Sequence, residues 1–336
     1  MRVTTGTLCV TAALIVLVLG GCGADADDPE PTGPLAGALA DVGGGGAAGS
    51  LGFGWLDPQL VERAGLDPER VSDALLPNAR TVVEEGPRLR RRFGFDPLSA
   101  DRLVSVGGSY AFGLRLDGVD GSGLRRALID AGGRTRRSGS LDLLQIGEYA
   151  VVPEPLLEAG VNGLGAFDAF GGRLSVLAIS DRGRATLLGE GDRLIDEPVY
   201  PAAADCLGDV VAARLIPDKQ IVSTELGVQL VAAGVRRDGR EVLCVLGGTP
   251  ERADEVAASL ETRLAPDARD PGTGEPIGEA VETVAVTRDS HEGVEVVRAE
   301  VTLTPTEGPG YLFGEISSAG VVALINETDQ VFDDLR

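Results

Sequence analysis

Residues with chemical capability are sparse in this 336-residue chain: one histidine, four cysteines and a single lysine, Lys219. His291 stands between Ser290 and Glu292 in "DSHEG", which holds the letters of a hydrolytic triad. Neighbours along a chain cannot converge their side chains, so a triad would need its serine and aspartate from elsewhere. The string reads instead as a solvated turn. The nearest approach to a nucleophile elbow, "GGSYA" around Ser109, precedes a strand where it should open a helix. Lys219 lacks the glycines of a phosphate loop, and "GGGAAG" at 44–49 matches the dinucleotide fingerprint without a strand before it or a helix after it. "DGVDGSG" at 117–123 lacks the ligand alternation and closing glutamate of a calcium loop, and reads as a helix N-cap. None of these motifs implies a cofactor or a metal. Hydrolysis by paired carboxylates stays open, because 52 acidic residues offer many pairs whose separation only the fold decides. One basic cluster remains: Arg88, Arg90, Arg91 and Arg92. Arg88, Arg91 and Arg92 share a helix face opposite Leu89 and Phe93, a candidate patch for a phosphate or acidic polymer. An ordinary solvated face is the simpler account.

The clearest chemical signal lies at the N-terminus. Arg2 precedes an apolar run from Leu8 to Leu19, the pattern of an export signal, too short for the roughly 20 residues of a spanning helix. The following Leu19-Gly20-Gly21-Cys22 resembles the lipobox of bacterial lipoproteins, in which small residues fit the cleaving peptidase and the cysteine thiol carries a diacylglycerol. The resemblance implies that residues 1–21 are removed and that Cys22 becomes the lipidated first residue. Two acyl chains suffice for stable anchoring, whereas one is marginal. The expected location is therefore the outer face of the cell membrane. With Cys9 removed and Cys22 lipidated, Cys206 and Cys244 remain. An even pair in an oxidising compartment reads as a disulfide, the alternative being two buried thiols.

Composition supports export and excludes one partner class. The formal charge is −22, which argues against nucleic acid, because phosphate neutralisation needs clustered cations. Arginine so dominates over lysine, with much alanine, glycine and valine, that the chain is similar to a membrane-anchored lipoprotein of actinobacterial type. A single tryptophan leaves little for a stacking platform.

The elements expected along the chain divide it into a tether at 22–50, a short-helix segment at 51–99, an α+β half at 100–217, a second at 218–325 and an acidic tail at 326–336. The tether is read from its Gly, Ala, Pro and Asp content. Asp57-Pro58, Asp67-Pro68 and Asp96-Pro97 each place a capping carboxylate before a proline at the first helical position. Strands are expected at 103–116, 141–146, 173–179 and 209–216, and a hairpin turns at Asp238-Gly239. A helix starts after Thr249, and a second hairpin turns within 289–293. The fold expected is α+β: antiparallel sheets with flanking helices, arranged as two halves of similar element order. Three functions fit: an anchored binding or scaffolding module for an envelope protein, a carrier of a lipid in an internal cavity, and a carboxylate-based envelope hydrolase. The carrier has a counterpart in the lipid-carrying lipoproteins of mycobacteria, which this chain resembles in class and location.

Overall fold

Local capping chemistry starts the helices. In a computed structural model of the chain, Asp57 accepts from the Leu60 amide at 2.8 Å, Asp67 from Glu69 at 3.0 Å and Asp96 from Leu98 at 3.1 Å. These caps open helix α2 (Pro58–Arg63), helix α3 (Pro68–Leu75) and a short 3-10 turn at Pro97–Ser99. Asp120 likewise accepts from both the amide and the hydroxyl of Ser122 at 2.9 Å. The Ser122 bonds hold its carboxyl below the usual range, so "DGVDGSG" serves as a helix cap. The structure describes residues 33–43, 52–76, 80–84, 86–107, 113–120, 122–130, 134–138, 141–145, 166–170, 174–178, 181–218, 227–269, 275–304 and 309–312. All of them belong to the compact unit that begins at Pro31. Cys22, Ser109, Lys219, "GGGAAG" and the acidic tail lie outside the described residues.

Among the described residues, twelve strands form one antiparallel sheet. They are β1 (Gly52–Leu56), β2 (Arg102–Gly107), β3 (Gly113–Asp117), β4 (Arg134–Ser138), β5 (Leu141–Gln145), β6 (Ala166–Phe170), β7 (Leu174–Ala178), β8 (Val210–Pro217), β9 (Val228–Arg236), β10 (Glu241–Gly247), β11 (Val281–His291) and β12 (Val294–Leu303). Their order is β11-β12-β10-β9-β8-β1-β2-β3-β7-β6-β5-β4. Reading outward from the β1–β8 pair, each wing is a three-stranded meander whose chain then passes through a helix and returns. The last strand of the return pairs with the third strand of the meander. The connecting helices are α6 (Ser122–Asp130) and α9 (Pro250–Arg263).

Helices cover the sheet on both sides. One face packs against α2, α3, α4 (Arg80–Glu84), α5 (Gly86–Phe93) and α9, burying Leu60, Val71, Leu89 and Leu260. The opposite face packs against α1 (Pro34–Ala40), α7 (Asp181–Leu187) and α8 (Val199–Leu207), burying Leu39, Leu187 and Tyr200. A sheet covered twice needs apolar side chains on both faces, which is why β8 to β10 read as nearly unbroken apolar runs. Burial pushes the Tyr200 hydroxyl strongly upward, helped by Glu197 and Asp218, and keeps it neutral.

Two expectations need correction. Residues 34–43 are not tether: Leu35, Leu39 and Val42, spaced as one helix face, are buried against the sheet. The glycine and alanine around them gave the window a linker's composition while three residues carried the packing. The end of α1 is clasped to the sheet, since Arg102 bonds both Asp117 and Asp41, and Arg115 donates to the backbone carbonyls of Asp41 and Leu187. Residues 52–56, within the segment expected to be short helices, form a strand at the centre of the sheet. "GFGWL" is glycine-rich because the backbone there has no room: a Cβ on Gly54 would lie 2.4 Å from Leu76 Cδ2 and 2.6 Å from Ser105 Oγ.

Candidate functional site

The site is built by the β10–β12–β11 end of the sheet and by α8. Antiparallel register places Cys244, Arg298 and Thr287 in one row across three strands, and Leu246, Val296 and Asp289 in the next. Directly opposite residues share a face, so Thr287, Asp289 and His291 point to the side on which α8 lies. The disulfide expected between Cys206 and Cys244 is present, with an S–S distance of 2.04 Å and Cα atoms 6.4 Å apart. It fastens the last turn of α8 over β10. Beyond α8 the face of β11 is open, and the step between them is a groove of about 390 Å³ lined by Asp205, Cys206, Thr287, Asp289, His291 and Arg298.

His291 is the last residue of β11, paired with Val294, and the tight turn lies beyond it at Glu292 and Gly293. Its Nδ1 is 3.5 Å from Asp205 Oδ2. Asp205 is largely exposed, and the two side chains form an ion pair only when the imidazole is protonated. Ser290 projects to the opposite face, opposite Glu295. Thr287 shares the His291 face four residues away, roughly 13 Å along an extended strand. An Asp–His pair is therefore present, and among the described residues neither neighbouring hydroxyl on β11 is in reach of it.

Cation chemistry continues along the same face. Arg298 donates to Glu300 at 2.5 Å while its Nε is buried without a partner. Glu300 also binds Arg236 at 3.1 Å and Arg240, so three guanidinium groups meet one carboxylate. Arg240 in turn donates to Asp238 at 2.8 Å, which holds the Asp238 carboxyl below its ordinary range. The groove thus offers acceptors at Asp205 and Asp289 and donors at His291 and Arg298. Among the described residues no cluster of His, Cys, Asp and Glu is placed to hold a metal ion, and no helix is long and apolar enough to cross a membrane.

The arginine cluster takes a different place. Arg88, Arg90 and Arg91 are exposed on α5 above the buried Leu89, and Arg90 is paired with Asp96. Arg88 also has a partner, and the side chain of Arg92 lies outside the description. The Asp205–His291 pair and the arginines around Glu300 had no signal in local sequence. Alternation of Thr287, Asp289 and His291 marks one strand face, but it is the packing of α8 on the sheet, with its disulfide to β10, that brings Asp205 to it.

Fold and groove together define an α+β protein whose described strands form one antiparallel sheet, covered by helices on both faces and carrying a polar groove at one end. No protein-family model, curated protein or solved structure matches the chain.

Proposed function

We propose that this is a lipid-anchored protein of the outer face of the cell membrane, acting as a non-enzymatic binding or scaffolding module for an envelope partner. The observation that carries the reading is the contrast between filled core and open groove. Under α1, α8 and α9 the interlayer space is occupied by side chains such as Leu39, Leu207, Leu215, Leu243 and Leu260, all buried completely. A lipid carrier needs an apolar cavity at that level. The groove beside α8 is instead open and polar, with donors and acceptors spread over α8, β11 and β12, which suits recognition of a polar segment of a partner. Among the described residues neither neighbouring hydroxyl of β11 reaches the Asp205–His291 pair, which favours binding over hydrolysis through a serine or threonine nucleophile.

The anchor rests on the lipobox-like Leu19-Gly20-Gly21-Cys22, and a Cys22→Ala variant is expected to leave the membrane fraction. The binding role is tested by placing a photoreactive side chain at Thr287 in the full chain and irradiating intact cells. One discrete adduct, lost when Arg298→Glu and Asp289→Arg reverse the groove's charges, supports the reading. Stoichiometric lipid in solvent extracts of the purified protein, with no adduct, points to the carrier.

A further inference from the structure

β11 closes one end of the sheet, so among the described residues the outer side of its backbone has no strand partner. Such an edge is a template for another strand, and proteins usually blunt it with proline, lysine, a bulge or a short length. β11 is eleven residues long, contains neither proline nor lysine, and has a register irregularity only between Val281 and Thr283. Glu282, Thr283, Ala285, Thr287 and Arg288 are exposed, while Val284 and Val286 are half-buried on the side of α9.

The sequence of this edge reads the same in both directions: Thr283-Val284-Ala285-Val286-Thr287, flanked by Glu282 and Arg288. A two-fold axis through Ala285 lays two such strands antiparallel with Ala285 opposite its own copy. Val284 then meets Val286, Thr283 meets Thr287 and Glu282 meets Arg288, each pair occurring twice. Valine pairs, threonine pairs and opposite charges are the cross-strand combinations that stabilise antiparallel ladders. They also sort correctly by face: the valines extend the half-buried surface beneath α9, and the threonines and Ala285 lie on the open side. A strand for an unrelated partner has no need of a palindrome, whereas an isologous contact requires self-complementarity.

From this we propose that β11 is a homodimer edge, through which a second copy of the chain pairs antiparallel about Ala285 and extends the sheet across the two-fold. The pairing goes beyond the binding role above and does not depend on it: Thr287 both lines the groove and faces Thr283 of the second copy, but the contact runs through the strand's edge and is centred on Ala285, outside the groove lining. The charge of −22 on each copy opposes association, so the dimer tightens as salt screens that repulsion.

The full chain, purified in detergent, is examined by sedimentation equilibrium and by cysteine cross-linking with diamide as oxidant. The wild type is expected at twice the mass of one chain at tens of micromolar, and Ala285→Glu raises the dissociation constant about tenfold or more, because like charges then face each other. Ala285→Cys alone forms a covalent dimer, since directly opposed Cα atoms lie within disulfide reach, and peptide mapping finds the link between two copies of residue 285. Thr283→Cys links to a Thr287→Cys chain when the two are mixed, and at least tenfold less to itself. A wild-type mass of one chain at all concentrations, a folded Ala285→Cys chain that stays monomeric, or a preferred link between two copies of residue 283 overturns the proposal.

Discussion

β9 and β11 are strands of similar length in one sheet, yet they solve opposite problems. β9 lies between β8 and β10 with helices above and below it, and Val231, Ala232, Ala233 and Val235 are essentially unexposed. β11 has one strand neighbour and one covered face, and most of its residues are exposed. The comparison teaches that burial in this protein follows coverage by neighbours and not strand propensity, since both strands are rich in valine, threonine or alanine. Stability accordingly lives on β8 to β10, while β11 and the groove beside it carry the surface on which the proposed binding role rests.

The sharpest way to break this comparison is to place the same charge in both strands. Ala232→Asp sets a carboxylate in a fully buried site between Leu215 and Cys244 and is expected to cost more than about 4 kcal/mol. Ala285→Asp is expected to change the stability of a single chain by less than about 0.5 kcal/mol. Equal losses in urea titrations would refute the division between the strands.

Joining α8 to the central sheet through the disulfide closes a separation of 38 residues, and its removal by Cys206→Ala with Cys244→Ala is expected to lower stability by about 4 kcal/mol on loop-entropy grounds. The groove should loosen with it, measurable as faster amide exchange at the end of α8. Leu39→Ala tests whether α1 belongs to the core: a fully buried leucine costs about 3 kcal/mol, whereas a tether residue would cost nothing measurable. Gly54→Ala sharpens the account of β1, since its Cβ would press on Leu76 and Ser105; a loss of about 2 kcal/mol is expected, and a neutral result would show that α3 shifts freely.

The smallest effect concerns pH at the wet rim of β9 and β10. Asp238, held below its ordinary range chiefly by the Arg240 hydrogen bond, stabilises the fold above the unfolded-state pKa near 3.9. That contribution is lost as pH falls through the lower folded value. Because the pair is largely exposed, solvent screening limits it to about 0.5 kcal/mol. Asp238→Asn should therefore flatten the acid limb below pH 4 and leave neutral stability within that margin.

What could be read from the chain, and what could not, divides by distance along it. The three Asp-Pro helix starts, the Asp238-Gly239 turn with Gly239 at φ +83°, the helix capped by Thr249 and the α+β class of the fold are all legible. Each depends on steric and hydrogen-bond rules acting within about four residues. The Cys206–Cys244 pair was reached by elimination, from a cysteine count and an expected compartment. α1 was lost in a window whose average composition resembles a linker, because three apolar side chains suffice once a sheet stands ready to receive them. β1 was lost because its glycines weaken every strand signal, and the reason for Gly54 is Leu76, a residue 22 positions away.

Local starts and stops, the polar character of β11 and the palindrome within it are written in neighbouring residues and in pattern. The meeting of β1 and β8 at the centre, the gathering of Arg236, Arg240 and Arg298 at Glu300, and the place of Asp205 beside His291 come from long-range packing. Those juxtapositions join residues dozens of positions apart. They arise when the strands pair and α8 packs across the sheet, and no property of either segment alone encodes where the other will lie.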